Sequence, residues 1–369
     1  MTPGLLIVGG GLAAQRCCET LRALGHDAPI TIAGAERPYD RPPLSKEQLA
    51  EPPWLRPRDW YADHDVILRP SVAQRLNAGR RIVELAGGER LRYDDLLIAT
   101  GSEPVRLPAL TGFANVQALR TLDDAARLWT ALSAGASVSV IGGGLIGLEV
   151  ASSARRMGAA ATVIEAAPAP LGMLGLEVGT HLAALHREDG AVLRVGVPLA
   201  AARGGTAGIE ELVLADGSRI ATDHVVEAVG VRPSTGWLAG SGLDPRGVPA
   251  GRTALPHVFA AGDVTGGGHW DAAARQGAGV ARALLGLAPS PPAPPSFWSD
   301  QLGLRLQCVG DPAGARAELT VDAEGRGFEA VYRREGRISA VLLAGRSAAD
   351  LRAARRRLSP APELERSAA

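Results

Sequence analysis

Leu5-Leu6-Ile7-Val8-Gly9-Gly10-Gly11-Leu12-Ala13-Ala14 is an apolar strand that runs into a glycine turn and on into a helix-like stretch ending at Leu24-Gly25. A second strand follows, from Pro29 to Ala33. Val138-Ser139-Val140-Ile141-Gly142-Gly143-Gly144-Leu145-Ile146-Gly147 repeats the plan, with a helical stretch to Met157-Gly158 and the strand Ala161-Thr162-Val163-Ile164. One constant offset pairs Gly9 with Gly142 and Gly25 with Gly158. Each copy has the layout of a strand–turn–helix–strand unit that binds a dinucleotide. Gly9 and Gly142 allow the tight turn. Gly11 and Gly144 let the backbone approach a pyrophosphate. Ala14 and Gly147 stand where the helix must pack closely on its sheet. The amides at Leu12 and Ala13, and at Leu145 and Ile146, open helix N-termini whose free N–H groups suit phosphate oxygens. An acid after the second strand suits ribose hydroxyls: Glu165 in the second copy, Glu36 in the first.

Two further strand ends carry glycine. Leu96-Leu97-Ile98-Ala99-Thr100-Gly101 is one, and Val258-Phe259-Ala260-Ala261-Gly262-Asp263-Val264 is the other. Asp263 can accept a hydrogen bond from a polyol such as a ribityl chain. Arranged around two dinucleotide units, these turns predict the two-domain FAD/NAD architecture. The chain's 369 residues fit two or three domains. Its 39 basic and 39 acidic residues cancel, which argues against a nucleic-acid or membrane-surface protein. No apolar run suits a membrane span, and no basic region precedes the first strand, so neither a span nor a signal peptide is expected. Three cysteines, two of them adjacent, make no disulfide framework, and a cytoplasmic setting is expected. No metal site is expected. Lys46 is the one lysine among the 39 basic residues, all others being arginine.

The chain resembles the FAD-dependent ferredoxin reductases of the glutathione-reductase fold. The resemblance rests on Pro38-Tyr39-Asp40-Arg41-Pro42-Pro43-Leu44-Ser45-Lys46, Leu119-Arg120-Thr121-Leu122-Asp123-Asp124-Ala125, Gly147-Leu148-Glu149-Val150-Ala151, Gly268-His269-Trp270-Asp271-Ala272-Ala273 and Phe297-Trp298-Ser299-Asp300-Gln301. It runs from about Gly4 to about Arg357. It implies an α/β fold of two Rossmann-like FAD/NAD(P)-binding domains, one inserted in the other, plus a C-terminal α+β interface domain. The implied boundaries are 1–104 with 236–290 for FAD, 105–235 for NAD, and 291–369 for the interface domain. FAD contacts are implied for the first glycine turn, Glu36, Arg41, Lys46, Ala99, Thr100, Gly101, Arg120, Gly262, Asp263, Trp270 and Trp298. The second turn, Glu149, Glu165 and Gly230 belong with the nicotinamide cofactor, Glu149 helping to place it over the flavin. Lys46 and Glu149 are the expected catalytic pair. Lys46, near the flavin ring, can stabilise negative charge on the reduced ring where a planar guanidinium is too broad.

The segment Ile164-Glu165-Ala166-Ala167-Pro168-Ala169-Pro170 offers a carboxylate and no basic partner for a 2′-phosphate, which predicts NADH rather than NADPH. The region from Pro38 to Glu51 lacks the cysteine that disulfide-reducing relatives carry beside the flavin. Cys17, Cys18 and Cys308 read as core. The implied route is hydride from NADH to FAD, then single electrons to a small iron–sulfur ferredoxin serving a monooxygenase or dioxygenase. The alternatives are an NADH oxidase or quinone-type reductase without a ferredoxin, and a redox-sensing flavoprotein resembling apoptosis-inducing factor. Monomer and homodimer both fit. After the stiff Pro289–Pro295 linker, strands are predicted at Leu302–Val309, Ala317–Val321, Gly327–Tyr332 and Ile338–Leu343, then a helix at Ser347–Leu358. Arg352, Arg355, Arg356 and Arg357 on it suit either a solvated helix end or an acidic partner. The segment between Asp263 and Trp270 is shorter than in many relatives. Glu227 interrupts an apolar strand and needs a partner that the sequence does not name.

Overall fold

The chain is described by a computed structural model over residues 4–205, 207–246 and 251–358. Its first sheet has five parallel strands in the order Val258–Ala260, Asp95–Ile98, Leu5–Val8, Ile30–Gly34 and Val66–Pro70. The second has five parallel strands in the order Val192–Val195, Ala161–Glu165, Val138–Ile141, His224–Glu227 and Val116–Ala118. The glycine turns follow Leu5–Val8 and Val138–Ile141, and every residue of those two strands is buried. A parallel strand covered on both faces reads as an unbroken apolar run, which is how Leu5–Val8 appears in the sequence; Val138–Ile141 departs from it only at the buried Ser139. The repeat extends beyond the turns. Each sheet carries a three-stranded antiparallel meander, built from Ala73–Asn77, Ile82–Leu85 and Arg90–Arg92 in the first copy, and from Leu199–Gly205, Gly208–Leu214 and Arg219–Ala221 in the second.

The two sheets are joined by a two-stranded antiparallel ribbon of Ser102–Pro104 and Val231–Pro233. The whole second sheet is built from chain lying between the ribbon's strands. Helix Leu12–Ala23 packs against helix Trp270–Leu284. They approach closely because Gly277 has no Cβ; one built there would collide with the Ala13 backbone.

The C-terminal sheet is antiparallel, in the order Ser296–Gln301, Leu304–Gly310, Arg337–Ala344, Phe328–Arg334, Arg316–Val321. Helix Ala348–Leu358 covers it through Leu351 and Ala354 on Val341 and Leu343. The strand expected from Leu302 begins at Leu304 instead. Leu302 and Gly303 both take positive φ, 57° and 70°, and form a two-residue hairpin turn. The strand before that turn, Ser296–Gln301, went unread in the sequence. Arg357 pairs with Glu329 on the sheet.

Cys17, Cys18 and Cys308 are fully buried. Burial pushes the Cys18 and Cys308 thiols up to about 12, and that of Cys17 upward as well. Glu227 finds its partners in the segment just after the ribbon's first strand. It accepts from the Leu107 N–H at 2.7 Å, and Arg106 Nε stands 2.6 Å from Oε2, close but not aligned for a hydrogen bond. Among the described residues no helix is long and apolar enough to cross a membrane, and no cluster of side chains could hold a metal ion.

Candidate active site

The two glycine turns are built alike. Gly9 has φ +110° and Gly142 φ +106°. A Cβ on Gly9 would strike the Ala99 carbonyl, and one on Gly142 the Ala228 carbonyl, so neither position tolerates a side chain. At Gly11 a Cβ would meet nothing, and at Gly144 almost nothing. The backbone there faces open space, as a turn that cradles phosphates requires. The third position differs between copies. A Cβ on Gly147 would collide with the Gly142 carbonyl and crowd Val140, whereas Ala14 buries its methyl completely.

The acids at the strand ends are engaged by the protein. Glu165 accepts from Gly143 N–H and Ala167 N–H, both at 2.7 Å, and so braces the second turn. Glu36 accepts from Tyr39 Oη at 3.1 Å and lies 3.6 Å from Arg41. Arg41 donates to Tyr39 Oη at 2.7 Å and to the Arg120 carbonyl. Burial pushes the Tyr39 phenol up to about 12, so it stays a donor.

A cavity of about 250 Å³ lies where the first turn, the second helix and the C-terminal sheet meet. Of the residues singled out in sequence, Gly11, Leu12, Ala13, Arg41, Lys46, Ala99, Gly101, Arg120, Gly262, Asp263, Trp270 and Trp298 line it. Leu145, Ile146 and Glu149 enter it from the second unit. Gly9, Glu36 and Thr100 line an adjoining hollow shared with Arg41. Ala14, Gly142, Gly144, Gly147, Glu165 and Gly230 lie outside both linings. None of the cysteines lines either hollow.

Opposite the first turn, Arg120 meets Asp263 at 3.3 Å, and Ser102 donates to the same carboxylate at 2.9 Å. Burial, then the neighbouring Arg41, holds the Arg120 guanidinium below its usual value. Gln276, unremarked in the sequence, accepts from the Gly262 N–H at 2.7 Å and fixes that turn. Trp270 and Trp298 meet edge to face at 5.5 Å, and Trp270 donates to Asp40 at 2.7 Å. His269 stacks on Phe297 at 4.8 Å, and burial lowers its imidazole's affinity for a proton.

Lys46 follows the 3₁₀ turn Pro42–Ser45, and its Nζ stands 2.7 Å from Glu149 Oε2. Glu149 lies on helix Leu145–Arg156, only 4% exposed. It accepts further bonds from Ser45 Oγ and, at 2.6 Å, from Ser299 Oγ. Ser153 donates to the Ser45 and Lys46 carbonyls at 3.0 Å, which pins the turn to the helix. Ser45, Ser299 and Gln301 were missed because serine and glutamine carry no motif of their own. The inward alternation of Phe297, Ser299 and Gln301 would have marked the last two.

Residues 3–277 match the model of the pyridine nucleotide-disulphide oxidoreductase family, and residues 296–369 match that of the reductase C-terminal domain. The chlorobenzene dioxygenase ferredoxin reductase component of Cupriavidus sp. (strain PS12) is 35% identical, over 93% of this chain and 89% of that protein. The anthranilate 1,2-dioxygenase system ferredoxin–NAD(+) reductase component of Burkholderia cepacia is 39% identical, over 83% and 81%. Among solved structures, the covalent putidaredoxin reductase–putidaredoxin complex superposes with a TM-score of 0.90 at 29% identity, covering 97% of this chain and 93% of that one. With twin glycine turns on twin parallel sheets and a sequence match over both, the chain belongs to the pyridine nucleotide-disulphide oxidoreductase family.

Proposed function

We propose that this chain is a flavoprotein ferredoxin reductase that oxidises NADH and delivers single electrons to a small iron–sulfur ferredoxin of an oxygenase system. The observation that carries the reading is one cavity bounded by the phosphate-cradling turn of the first unit and by Glu149 and Ile146 of the second. Bound FAD supplies the redox chemistry, accepting a hydride and releasing electrons singly. The first turn suits its pyrophosphate, and Glu36 its ribose. Arg120 and Asp263 face the same side of the cavity, where a ribityl chain needs a donor and an acceptor. Trp270 and Trp298 close the apolar wall. Lys46 brings a positive charge to the cavity, and Glu149 balances it at 2.7 Å. On this reading Glu149 also orients the nicotinamide.

The division into an FAD unit of 1–104 with 236–290, an NAD unit of 105–235 and an interface domain of 291–369 follows from the same reading. It is supported by the ribbon that brackets the second sheet. Preference for NADH rests on Glu165 and the absence of any cation from Ala166 to Leu171. The buried, proton-retaining cysteines oppose thiol–disulfide exchange, since the thiolate is the reactive form. A cytoplasmic setting suits three free thiols.

The test is anaerobic titration of the yellow protein with NADH and with NADPH, followed by [2Fe–2S] ferredoxins. NADH should bleach the flavin at far lower concentration than NADPH, and a ferredoxin should reoxidise it faster than oxygen does. Failure of every ferredoxin to outrun oxygen would overturn the reading.

A further inference from the structure

Behind Glu149 runs a line of buried polar side chains that the proposed function does not use. Glu149 is 4% exposed, Ser299 0%, Gln301 3% and His186 0%. Ser299 Oγ lies 2.6 Å from Glu149 Oε1, Gln301 Nε2 3.0 Å from Ser299 Oγ, and His186 Nε2 2.7 Å from Gln301 Oε1. Ser299 and Gln301 come from the C-terminal strand Ser296–Gln301. His186 comes from helix Leu176–Glu188, which follows the second glycine unit. The line therefore crosses from one unit, through a second, and back to the first.

Its direction can be deduced link by link. A carboxylate only accepts, so the single Ser299 proton must go to Glu149. Ser299 must then accept from the Gln301 amide nitrogen, which turns the Gln301 carbonyl oxygen towards His186. That oxygen needs a donor, so His186 must carry its proton on Nε2. Among the described residues Nδ1 has no partner, and it is buried, which suits a bare nitrogen and not an N–H. Burial lowers the imidazole's affinity for a second proton, and that second proton would sit on Nδ1 with nothing to accept it. The alternative tautomer would reverse every link. Gln301 would flip, Ser299 would donate to Gln301, and Glu149 Oε1 would lose its donor.

We propose that Ser299 is a positioning residue which aims the Glu149 carboxylate, and that Gln301 and the Nε2–H tautomer of His186 set the direction of the Ser299 hydroxyl. With Oε1 held by Ser299, Oε2 is presented to Lys46 and Ser45. This deepens the reading of Glu149 given above and rests on it for its effect on hydride transfer. The hydrogen-bond direction itself stands independently of that reading.

The experiment uses the FAD-loaded full chain in two arms. In the first, nitrogen-15 histidine spectra are recorded at pH 7, His186 being assigned by its loss in His186→Asn. A neutral Nε2–H ring is expected, and Gln301→Met should mix the tautomers. An Nδ1–H ring or an imidazolium in the unmutated protein would overturn the proposal. In the second arm, flavin reduction by NADH is followed by stopped flow under anaerobic conditions. Ser299→Ala deletes one oxygen and should slow reduction about tenfold, or ~1.4 kcal/mol, with NADH binding little changed. In a Glu149→Gln background the same change should cost nothing more, because its effect passes through that carboxylate. Gln301→Met repeats this test should Ser299→Ala fail to fold. A Ser299→Ala protein as fast as the unmutated one, or an undiminished loss in the Glu149→Gln background, would overturn the proposal. If Glu149→Gln alone reduces at full speed, the role given to Glu149 fails, while the spectra still decide the direction of the line.

Discussion

Lys46 Nζ and Glu149 Oε2 stand 2.7 Å apart, joining the chain's single lysine to the helix that opens at the second glycine turn. The lysine side chain is 16% exposed and the carboxylate 5%, so the pair is shielded without being sealed. Arg156 and Ser153 hold the Lys46 carbonyl, which leaves only the side chain to respond to what enters the cavity.

Replacing Lys46 with alanine removes the charge and leaves Glu149 as a buried anion whose donors, among the described residues, are the Ser45 and Ser299 hydroxyls. Reduction by NADH should slow on the order of a hundredfold, or ~2.7 kcal/mol. Lys46→Arg should not restore it, because a planar fork cannot replace a compact ammonium beside Ser45. Stopped-flow reduction and flavin content per chain check both statements. Full rate and full occupancy in Lys46→Ala would contradict them.

The glycine turns should fail separately. Gly9→Ala puts a methyl against the Ala99 carbonyl at φ +110°, so this protein should purify without flavin. Gly147→Ala meets the Gly142 carbonyl and should retain flavin while binding NADH at least tenfold more weakly. Absorbance ratios and NADH titrations distinguish the two. Equal loss of flavin in both would refute the independence of the units.

Arg106 is half exposed, yet it partners a carboxylate with no exposure at all. Arg106→Ala should cost about 1–3 kcal/mol, because Glu227 would keep only the Leu107 N–H. Adding Glu227→Val should recover part of that loss. Melting temperatures of the two single variants and the double variant measure it. A double variant less stable than Arg106→Ala would show that the pair is not the source.

His186, His224 and His269 all bind protons more weakly than free imidazole, chiefly through burial. Their folded pKa values lie below the unfolded value of 6.5. Between the two, the unfolded chain binds more protons, so stability is complete above about pH 6.5 and drains away as pH falls. Melting temperature should therefore drop between about pH 7 and pH 5.5, and His224→Leu should make the drop shallower. A melting temperature that rises on acidification would contradict the sign.

The backbone parts of the site were legible in the sequence, and so were the side chains that sit in motifs, such as Arg41, Arg120, Asp263, Trp270 and Trp298. Gly9 and Gly142 announce themselves because only glycine survives at positive φ against a carbonyl. Lys46 stood out through composition, and Glu149 as its candidate partner. Ser45, Ser299 and His186 could not be read that way, since they matter through partners far away in sequence. Glu227 was recognisably anomalous, but its partners come from the segment after the ribbon, whose course no local pattern predicts. The Leu302–Gly303 turn was hidden because a buried leucine rarely takes the left-handed conformation. Here its N–H is satisfied by Ser152 Oγ at 2.7 Å.

Glu149 receives its donors from Ser45, Lys46 and Ser299, and these become available at different times. A chain leaving the ribosome completes both parallel sheets before strand Ser296–Gln301 has been made. Until then one carboxylate oxygen lacks its serine. The two nucleotide-binding units can thus be shaped early, but the pair between them is finished last. Maturation of this protein is, in effect, signed off by its final sheet.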